Sequence, residues 1–123
     1  MSTERNKEIV PRAINAIGRG DFSGFVAAAA DDLTLNVMAT GWTPIQGKQQ
    51  VQESLEALLK GFLANNGAIV MTIKRLIAEG DYVVEQVRGQ SRTKDGREYN
   101  NTYCRVWRIV EGKVKSVVFS NCW

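Results

Sequence analysis

The stretch "DYVVEQVRGQSRTKDGREYNNTYCRVWRIV" (residues 81–110) decides the fold. Two runs of alternating apolar and polar residues flank the turn "KDG" (residues 94–96), a pattern typical of an antiparallel β-hairpin. In the second run, Tyr103, Arg105 and Trp107 share one strand face, because successive side chains alternate between the two faces. An arginine between two aromatic residues on a face that should be buried requires either a partner or a ligand.

The hairpin register supplies a partner for Arg105. If "KDG" is a three-residue loop with its glycine in the left-handed conformation, Thr93 pairs with Arg97 and Glu85 lies opposite Arg105. A two-residue turn would instead place Gln86 opposite Arg105 and turn every side chain to the other face. We favour the three-residue loop because it forms a pair of opposite charges.

The next turn, "VEG" (residues 110–112), extends the same face onto the last strand. As a three-residue loop it pairs Ile109 with Lys113, which places Arg105 opposite Val117. The same arithmetic sets Tyr103 opposite Phe119 and Asn101 opposite Asn121. The predicted inner face of three strands therefore holds Glu85, Val87, Asn101, Tyr103, Arg105, Trp107, Val117, Phe119 and Asn121.

Outward from this hairpin, the patterns alternate between helix and strand. Helices are predicted over residues 2–18, 22–30 and 48–65, a strand over 33–39, a loop over 40–47, and strands over 69–80, 81–93, 98–110 and 113–123. Asp21 is expected to cap the second helix, whereas Pro11 does not suit the interior of the first. On the third helix an apolar stripe should face inward, formed by Val51, Leu55, Leu58, Leu59 and Phe62. The order of elements predicts a single α+β domain over residues 1–123.

The composition of the chain excludes several classes of function. The chain has 123 residues and a net charge of +3, from 16 basic and 13 acidic residues that are scattered rather than clustered, so we expect no nucleic-acid partner. It has no histidine, which excludes serine–histidine triads and most zinc sites, and we expect neither a metal nor a cofactor. Without a signal peptide or a long apolar run, we expect a cytoplasmic protein with no membrane partner.

The motifs "GRGDFSGF", "ADDLTLNV" and "EGKVKSV", together with the long hairpin, resemble the SnoaL-like and ketosteroid-isomerase-like branch of the nuclear-transport-factor-2-like superfamily. The likeness covers nearly the whole chain. It implies an α+β fold in which a curved antiparallel sheet wraps around three helices, a cystatin-like α+β barrel with a conical pocket. It also implies a homodimer, expected through the convex face of the sheet.

The catalytic residues of these relatives do not match this chain. Ketosteroid isomerases use an aspartate base with tyrosine and aspartic acid donors, and the corresponding positions here look like Val37, Ala13 and Arg105. The counterparts of the epoxide hydrolase machinery look like Leu35, Val37, Glu85, Val87 and Phe119. Where SnoaL-like cyclases end in a strand resembling "REYMD", this chain has "VFSNC". Pro11 inside a helix and the ending on "NCW" favour an engineered, truncated or divergent variant.

The predicted inner face of the sheet and the pocket implied by the resemblance together suggest a site for a small apolar molecule. Glu85 is the candidate base, and Arg105 and Tyr103 would stabilise negative charge on a carbonyl-bearing or cyclic substrate during an isomerase- or cyclase-type proton transfer. A non-catalytic ligand-binding protein and a dimerising interaction domain are the alternatives. The candidate ligand-binding residues are Ala13, Ile17, Leu35, Val37, Trp42, Phe62, Val87, Asn101, Trp107, Val117, Phe119 and Asn121.

Overall fold

The computed structural model describes residues 3–37 and 43–121, and for residues 120 and 121 only the backbone. Helices and strands follow the predicted order closely. The helices are α1 (Thr3–Gly18), α2 (Phe22–Ala27), α3 (Lys48–Phe62) and the short α4 (Ala64–Gly67). The strands are β1 (Ala29–Val37), β2 (Ile45–Gln46), β3 (Val70–Glu79), β4 (Tyr82–Arg92), β5 (Glu98–Val110) and β6 (Lys113–Asn121).

Helix α1 runs through Pro11 without ending there. A proline inside a helix removes one backbone hydrogen bond and costs about 3 kcal/mol. The same helix buries Val10, Ile14 and Ile17, and burying each of these side chains contributes roughly 1.5–3 kcal/mol. The buried stripe therefore outweighs the proline, which explains why a residue that looked misplaced is tolerated.

Helix α2 begins as predicted but ends earlier. The Asp21 carboxylate accepts a hydrogen bond of 2.9 Å from the backbone N–H of Gly24. The helix ends at Ala27 rather than residue 30, and β1 begins at Ala29 rather than residue 33. Ala29 is buried and pairs with Val114 of β6, so sheet pairing overrides the helical preference of the alanine run.

Helix α3 also ends earlier than its sequence pattern suggests, at Phe62 rather than residue 65. Asn65 and Asn66 both have positive φ (56° and 59°), which is incompatible with continuing the helix. On the predicted inward stripe, Val51 is fully buried, but Leu58 and Phe62 are 55% and 45% exposed. The predicted stripe is therefore buried at the start of the helix and largely exposed to solvent at these two residues.

The six strands form one open, mixed sheet in the order β2-β1-β6-β5-β4-β3. The predicted meander is present, since β3 to β6 pair antiparallel in sequence order. However, β1 pairs parallel with β6, so the sheet is not wholly antiparallel, and its two ends do not meet as in a closed barrel. Register shifts between Ile73 and Arg75 and between Arg108 and Ile109 mark bulges, which bend strands.

The first hairpin has the predicted register. Thr93 and Arg97 close the "KDG" loop, and Glu85 lies opposite Arg105. Glycine at residue 96 has a φ of 88°, as the left-handed position of such a loop requires. The alternative that placed Gln86 opposite Arg105 is excluded.

The second hairpin differs from its predicted register. Glu111 and Gly112 both have positive φ, and Val110 pairs with Lys113, so the turn has two residues instead of three. The neighbouring bulge shifts the pairing by one more residue. Arg105 therefore lies opposite Phe119, not Val117. Likewise, Tyr103 rather than Asn101 lies opposite Asn121. Because the total shift beyond the bulge is two residues, the side chains of residues 116–119 remain on their predicted faces, whereas Val114 instead of Lys113 lies opposite Ile109.

The sheet separates a buried inner face from an outer face with an apolar row. On the outer face, Ile77, Val84, Val106 and Val118 lie opposite one another across four strands. We call these four residues the outer row; Ile77 and Val106 are both exposed. No helix within residues 3–37 and 43–121 combines the length and apolar character needed to cross a bilayer.

Candidate functional site

A cavity of about 120 Å³ lies between the inner face of the sheet and the helices. Its wall is largely apolar and aromatic, and Arg105 is the one charged side chain among the described lining residues. Small-molecule sites commonly combine apolar walls with a few polar groups that orient the ligand. The wall is formed by Ile17, Phe25, Leu35, Leu55, Leu58, Leu59, Ile69, Met71, Tyr99, Tyr103, Arg105, Trp107, Val117 and Phe119.

Arg105 is held by an ion pair with Glu85 across the β4–β5 ladder. Nε of Arg105 contacts Oε1 of Glu85, and Nε1 of Trp107 donates a hydrogen bond of 3.1 Å to the same oxygen. Glu85 is fully buried and Arg105 is only 7% exposed. Arg105 and Trp107 line the cavity, whereas Glu85 does not. The carboxylate therefore lies behind the wall and the guanidinium forms part of it.

This pair leaves two buried polar atoms unused. Oε2 of Glu85 and Nη2 of Arg105 are buried and have no hydrogen-bond partner; Nε of Arg105 makes no hydrogen bond either, although it forms the ion pair with Oε1. A buried polar group without a partner costs roughly 1–3 kcal/mol, and more if it is charged. The site thus retains an unfilled donor on Arg105 and an unfilled acceptor on Glu85.

Burial controls the acidity of Glu85. Removal from water raises the pKa of its carboxyl group, while the Arg105 charge and the hydrogen bonds from Trp107 and Arg105 oppose that rise. Desolvation is the larger effect, so the pKa lies above its usual value. Glu85 consequently takes up a proton more readily than an exposed glutamate.

Two tyrosines form the polar part of the wall beside Arg105. The hydroxyl groups of Tyr99 and Tyr103 are hydrogen-bonded to each other, and the Arg105 guanidinium lies 5.1 Å from the centre of the Tyr103 ring. Burial, and secondarily the hydrogen bond with Tyr99, raise the pKa of Tyr103 well above its ordinary range. Tyr103 is therefore a neutral hydroxyl group at physiological pH.

Seven of the predicted site residues do line this cavity. Arg105 and Tyr103 lie on its wall, as expected for groups that would stabilise negative charge. The other five are apolar or aromatic and come from α1, β1, β5 and β6: Ile17, Leu35, Trp107, Val117 and Phe119.

Five further predicted residues lie away from the cavity. Ala13 and Val87 are buried in the core, where α1 packs against β4. Val37 and Asn101 are half-buried, and Asn101 donates a weak hydrogen bond of 3.4 Å to the Tyr99 hydroxyl. Phe62 lies at the end of α3 and packs edge-to-face on Tyr99 outside the cavity. Trp42 and the side chain of residue 121 lie outside the described part of the chain.

Sequence reasoning missed half of the wall. The predicted inner face does not include Met71 and Ile69, because it covers only the last three strands; Met71 lies opposite Gly89 on β4. Tyr99 was accessible, since it lies four residues before Tyr103 and therefore on the same strand face. Phe25 had no signal of its own because its helix, α2, has only six residues. Leu55, Leu58 and Leu59 were predicted to face inward but not to line a site.

The described residues contain no group of three or more histidine, cysteine, aspartate or glutamate side chains that could hold a metal ion. The polar groups on the described cavity wall include the guanidinium of Arg105 and the hydroxyl groups of Tyr99 and Tyr103. A guanidinium is a permanent cation that suits carboxylate and enolate oxygens.

The family comparison extends over most of the chain. The model of the SnoaL-like domain matches residues 10–117, which include every element from α1 to β6 in whole or in part. No curated protein matches the sequence significantly.

Several solved structures share the fold at low sequence identity. An NTF2-like protein of unknown function from Burkholderia pseudomallei K96243 superposes with a TM-score of 0.82 at 20% identity, covering 99% of this chain and 92% of the other. An LEH-like epoxide hydrolase from M. tuberculosis superposes with a TM-score of 0.79 at 20% identity, covering 98% of this chain and 84% of the other. A third structure is that of a protein with a ketosteroid isomerase-like fold from Catenulispora acidiphila, in complex with trimethylamine. It superposes with a TM-score of 0.78 at 18% identity, covering 94% of this chain and 85% of the other. These structures establish an NTF2-like fold, and the match over residues 10–117 shows that the chain belongs to the SnoaL-like domain family.

Proposed function

We propose that the protein binds a small, mostly apolar molecule in the cavity and holds an oxygen of that molecule against Arg105 and Tyr103. The observation that carries this proposal is the unpartnered Nη2 of an arginine that is only 7% exposed, on an otherwise apolar and aromatic wall. A ligand oxygen at this position would fill the missing hydrogen bond. A carbonyl, enolate or carboxylate oxygen is suitable, because guanidinium groups bind such acceptors strongly.

Tryptophan fluorescence provides a direct test. The protein has three tryptophans, so the double substitution Trp42→Phe and Trp123→Phe leaves Trp107 as the only one. Titration with a panel of small ketones, lactones and carboxylic acids should quench or shift the Trp107 emission in a saturable manner. A polar sugar such as glucose serves as the negative control. If no member of the panel changes the emission, the proposed binding function is wrong.

Catalysis of a proton transfer is the second candidate, since SnoaL-like and ketosteroid-isomerase-like proteins commonly carry isomerase or cyclase activity. The specific observation in its favour is Glu85, which has a raised pKa and an oxygen with no partner. We place it second because Glu85 lies behind Arg105 and Trp107 rather than on the cavity wall. A general base must come within hydrogen-bond reach of the proton that it removes.

The two candidates differ in their response to Glu85→Gln. For a substrate found in the screen, loss of a general base should lower kcat by about 100-fold or more. Turnover that survives this substitution would eliminate Glu85 as the base. Binding measured by Trp107 fluorescence should persist in either case, because the amide oxygen of the introduced glutamine still accepts a hydrogen bond from Trp107.

A further inference from the structure

We infer that the cavity takes its ligand as an oxyanion, such as the carboxylate of a small apolar acid, and that Glu85 takes up a proton when this ligand binds. This inference rests on the proposed function, since it names the chemical class of the ligand in the same cavity. It assigns Glu85 the role of balancing the charge in the site, which differs from that of a base acting on substrate.

The charges in the site require such a balance. Glu85 and Arg105 form a pair with zero net charge, and the rest of the described wall is uncharged. A second carboxylate at Arg105 would leave one net negative charge in a poorly solvated cavity, which is unfavourable. Protonation of Glu85 restores neutrality and lets Arg105 pair with the ligand.

The hydrogen bonds around Glu85 leave a suitable place for that proton. Both donors, Nε of Arg105 and Nε1 of Trp107, approach the same oxygen, Oε1. Oε2 accepts no hydrogen bond, so a proton on that atom displaces no donor. Burial also raises the pKa of Glu85 above its ordinary value, which favours the protonated state.

No other described ionisable group is positioned to substitute for Glu85. On β3, the residue opposite is Leu76. The side of α1 that packs on the sheet is uncharged and contributes Asn6, Val10, Ala13, Ile14 and Ile17. From β5, Arg105 and Trp107 contact Glu85 directly, and the neutral Tyr103 lies beside Arg105.

Benzoate and its neutral isostere benzamide test this inference by calorimetry. The full-length protein is titrated between about pH 6 and about pH 9 in buffers of different ionisation enthalpy, which gives the number of protons bound per complex. Benzoate should bind about tenfold or more tightly than benzamide at the lower pH, because charge-assisted hydrogen bonds are roughly twice as strong as neutral ones. Its affinity should fall by up to about tenfold per pH unit as pH rises, with uptake approaching one proton.

Two variants test whether benzoate binding depends on the charges of Glu85 and Arg105 rather than on the packing of the cavity alone. Glu85→Gln carries the neutral state permanently, so benzoate should bind it more tightly at the upper pH and without proton uptake. The double substitution Glu85→Gln with Arg105→Gln removes both charges and avoids an unpaired buried carboxylate. It should bind benzoate no better than benzamide, while its thermal unfolding transition remains cooperative.

Each outcome bears on a distinct claim. Equal affinity for benzoate and benzamide would overturn the oxyanion inference and leave the binding function intact. Preferred binding of benzoate without proton uptake would overturn the role of Glu85. If neither compound binds, and no member of the fluorescence panel changes the Trp107 emission, both the inference and the proposed function are wrong.

Discussion

Glu85 and Arg105 place two opposite charges in an otherwise apolar core, and each depends on the other for its stability. Substituting Arg105 with methionine keeps much of the side-chain volume but leaves Glu85 buried without a countercharge. We expect the free energy of unfolding to fall by about 3–5 kcal/mol near neutral pH. Denaturant unfolding measures this loss, and a change below about 1 kcal/mol would show that Glu85 does not depend on the pair.

The raised pKa of Glu85 also predicts how stability depends on pH. In the folded protein its pKa lies above the ordinary value of 4.5, so the native state holds the proton more tightly than the unfolded state. The contribution of Glu85 to stability is therefore complete below that ordinary value and declines as pH rises through the folded-state pKa, by at most about 1.4 kcal/mol per pH unit.

Glu85→Gln isolates this effect. The exposed carboxyl groups of Asp21, Asp32 and Asp95 have lowered pKa values and act in the opposite direction, since their contribution is lost as pH falls. They are present in both proteins, so the difference between wild type and variant reports on Glu85. Unfolding curves at several pH values should show the wild type losing stability relative to the variant as pH rises; a constant difference would contradict the raised pKa.

At the scale of single elements, the β5–β6 turn contains a residue in an unfavourable conformation. Glu111 has a φ of 52° and precedes Gly112, also at positive φ, in a two-residue turn. Asparagine tolerates this conformation better than glutamate and is favoured with glycine in such turns. Glu111→Asn should therefore stabilise the protein by about 0.5–1 kcal/mol, measured as a rise in Tm.

The matched control for that substitution is Glu98→Asn, which changes the same residue type at an exposed strand position. It should be neutral or slightly destabilising, because asparagine is disfavoured in strands. A Tm that rises equally in both variants would attribute the effect to charge rather than to backbone conformation.

Another element-scale prediction concerns Gly89 on β4. A Cβ atom at this position would lie 2.9 Å from the Tyr103 ring and 3.1 Å from Ile69, which are both residues of the cavity wall. Gly89→Ala should displace the Tyr103 ring and cost about 1–3 kcal/mol through overpacking. Gly61→Ala, where an added Cβ meets nothing within 4 Å, is the control and should preserve stability.

The β4–β5 and β5–β6 hairpins show how much of the register of the sheet can be predicted from the sequence. The β4–β5 hairpin was predictable because turn length, charge pairing and alternation all indicated the same register. The β5–β6 hairpin was not, since "VEG" is compatible with two turn lengths and the bulge near Arg108 leaves no mark in the sequence. Beyond the bulge the inner face was nevertheless predicted correctly, because two one-residue errors together shift the register by two residues, which keeps the side chains of residues 116–119 on their predicted faces.

Over the whole molecule, the α+β class and the order of elements could be predicted, whereas the wall of the cavity could be predicted only in part. Strand periodicity identifies which side chains share a face, but it does not say how far a helix covers that face. Val87 and Ala13 lie on predicted inner surfaces and are nonetheless sealed in the core by the packing of α1. Likewise, the parallel pairing of β1 with β6 depends on contacts between distant segments of the chain.

The predicted homodimer can be tested at this scale through the outer row of Ile77, Val84, Val106 and Val118. Val106 is 37% exposed at the centre of this row. If a second copy covers the row, Val106→Lys should convert the dimer to a monomer in analytical ultracentrifugation, because it buries an unpaired charge in the interface. Gln90→Lys, on the neighbouring strand β4 but away from the row, should leave the dimer intact. A wild-type protein that sediments as a monomer would refute the prediction.

The central claim is that the cavity on the inner face of the sheet is the ligand site. Val117→Phe enlarges a side chain on the cavity wall, and Val118→Phe makes the same change on the opposite face of the same strand. Calorimetric titration with benzoate, on variants that show cooperative thermal unfolding, compares the two. We predict that Val117→Phe weakens binding by at least about tenfold while Val118→Phe leaves it unchanged. Equal affinity in both variants would place the ligand elsewhere and contradict the claim.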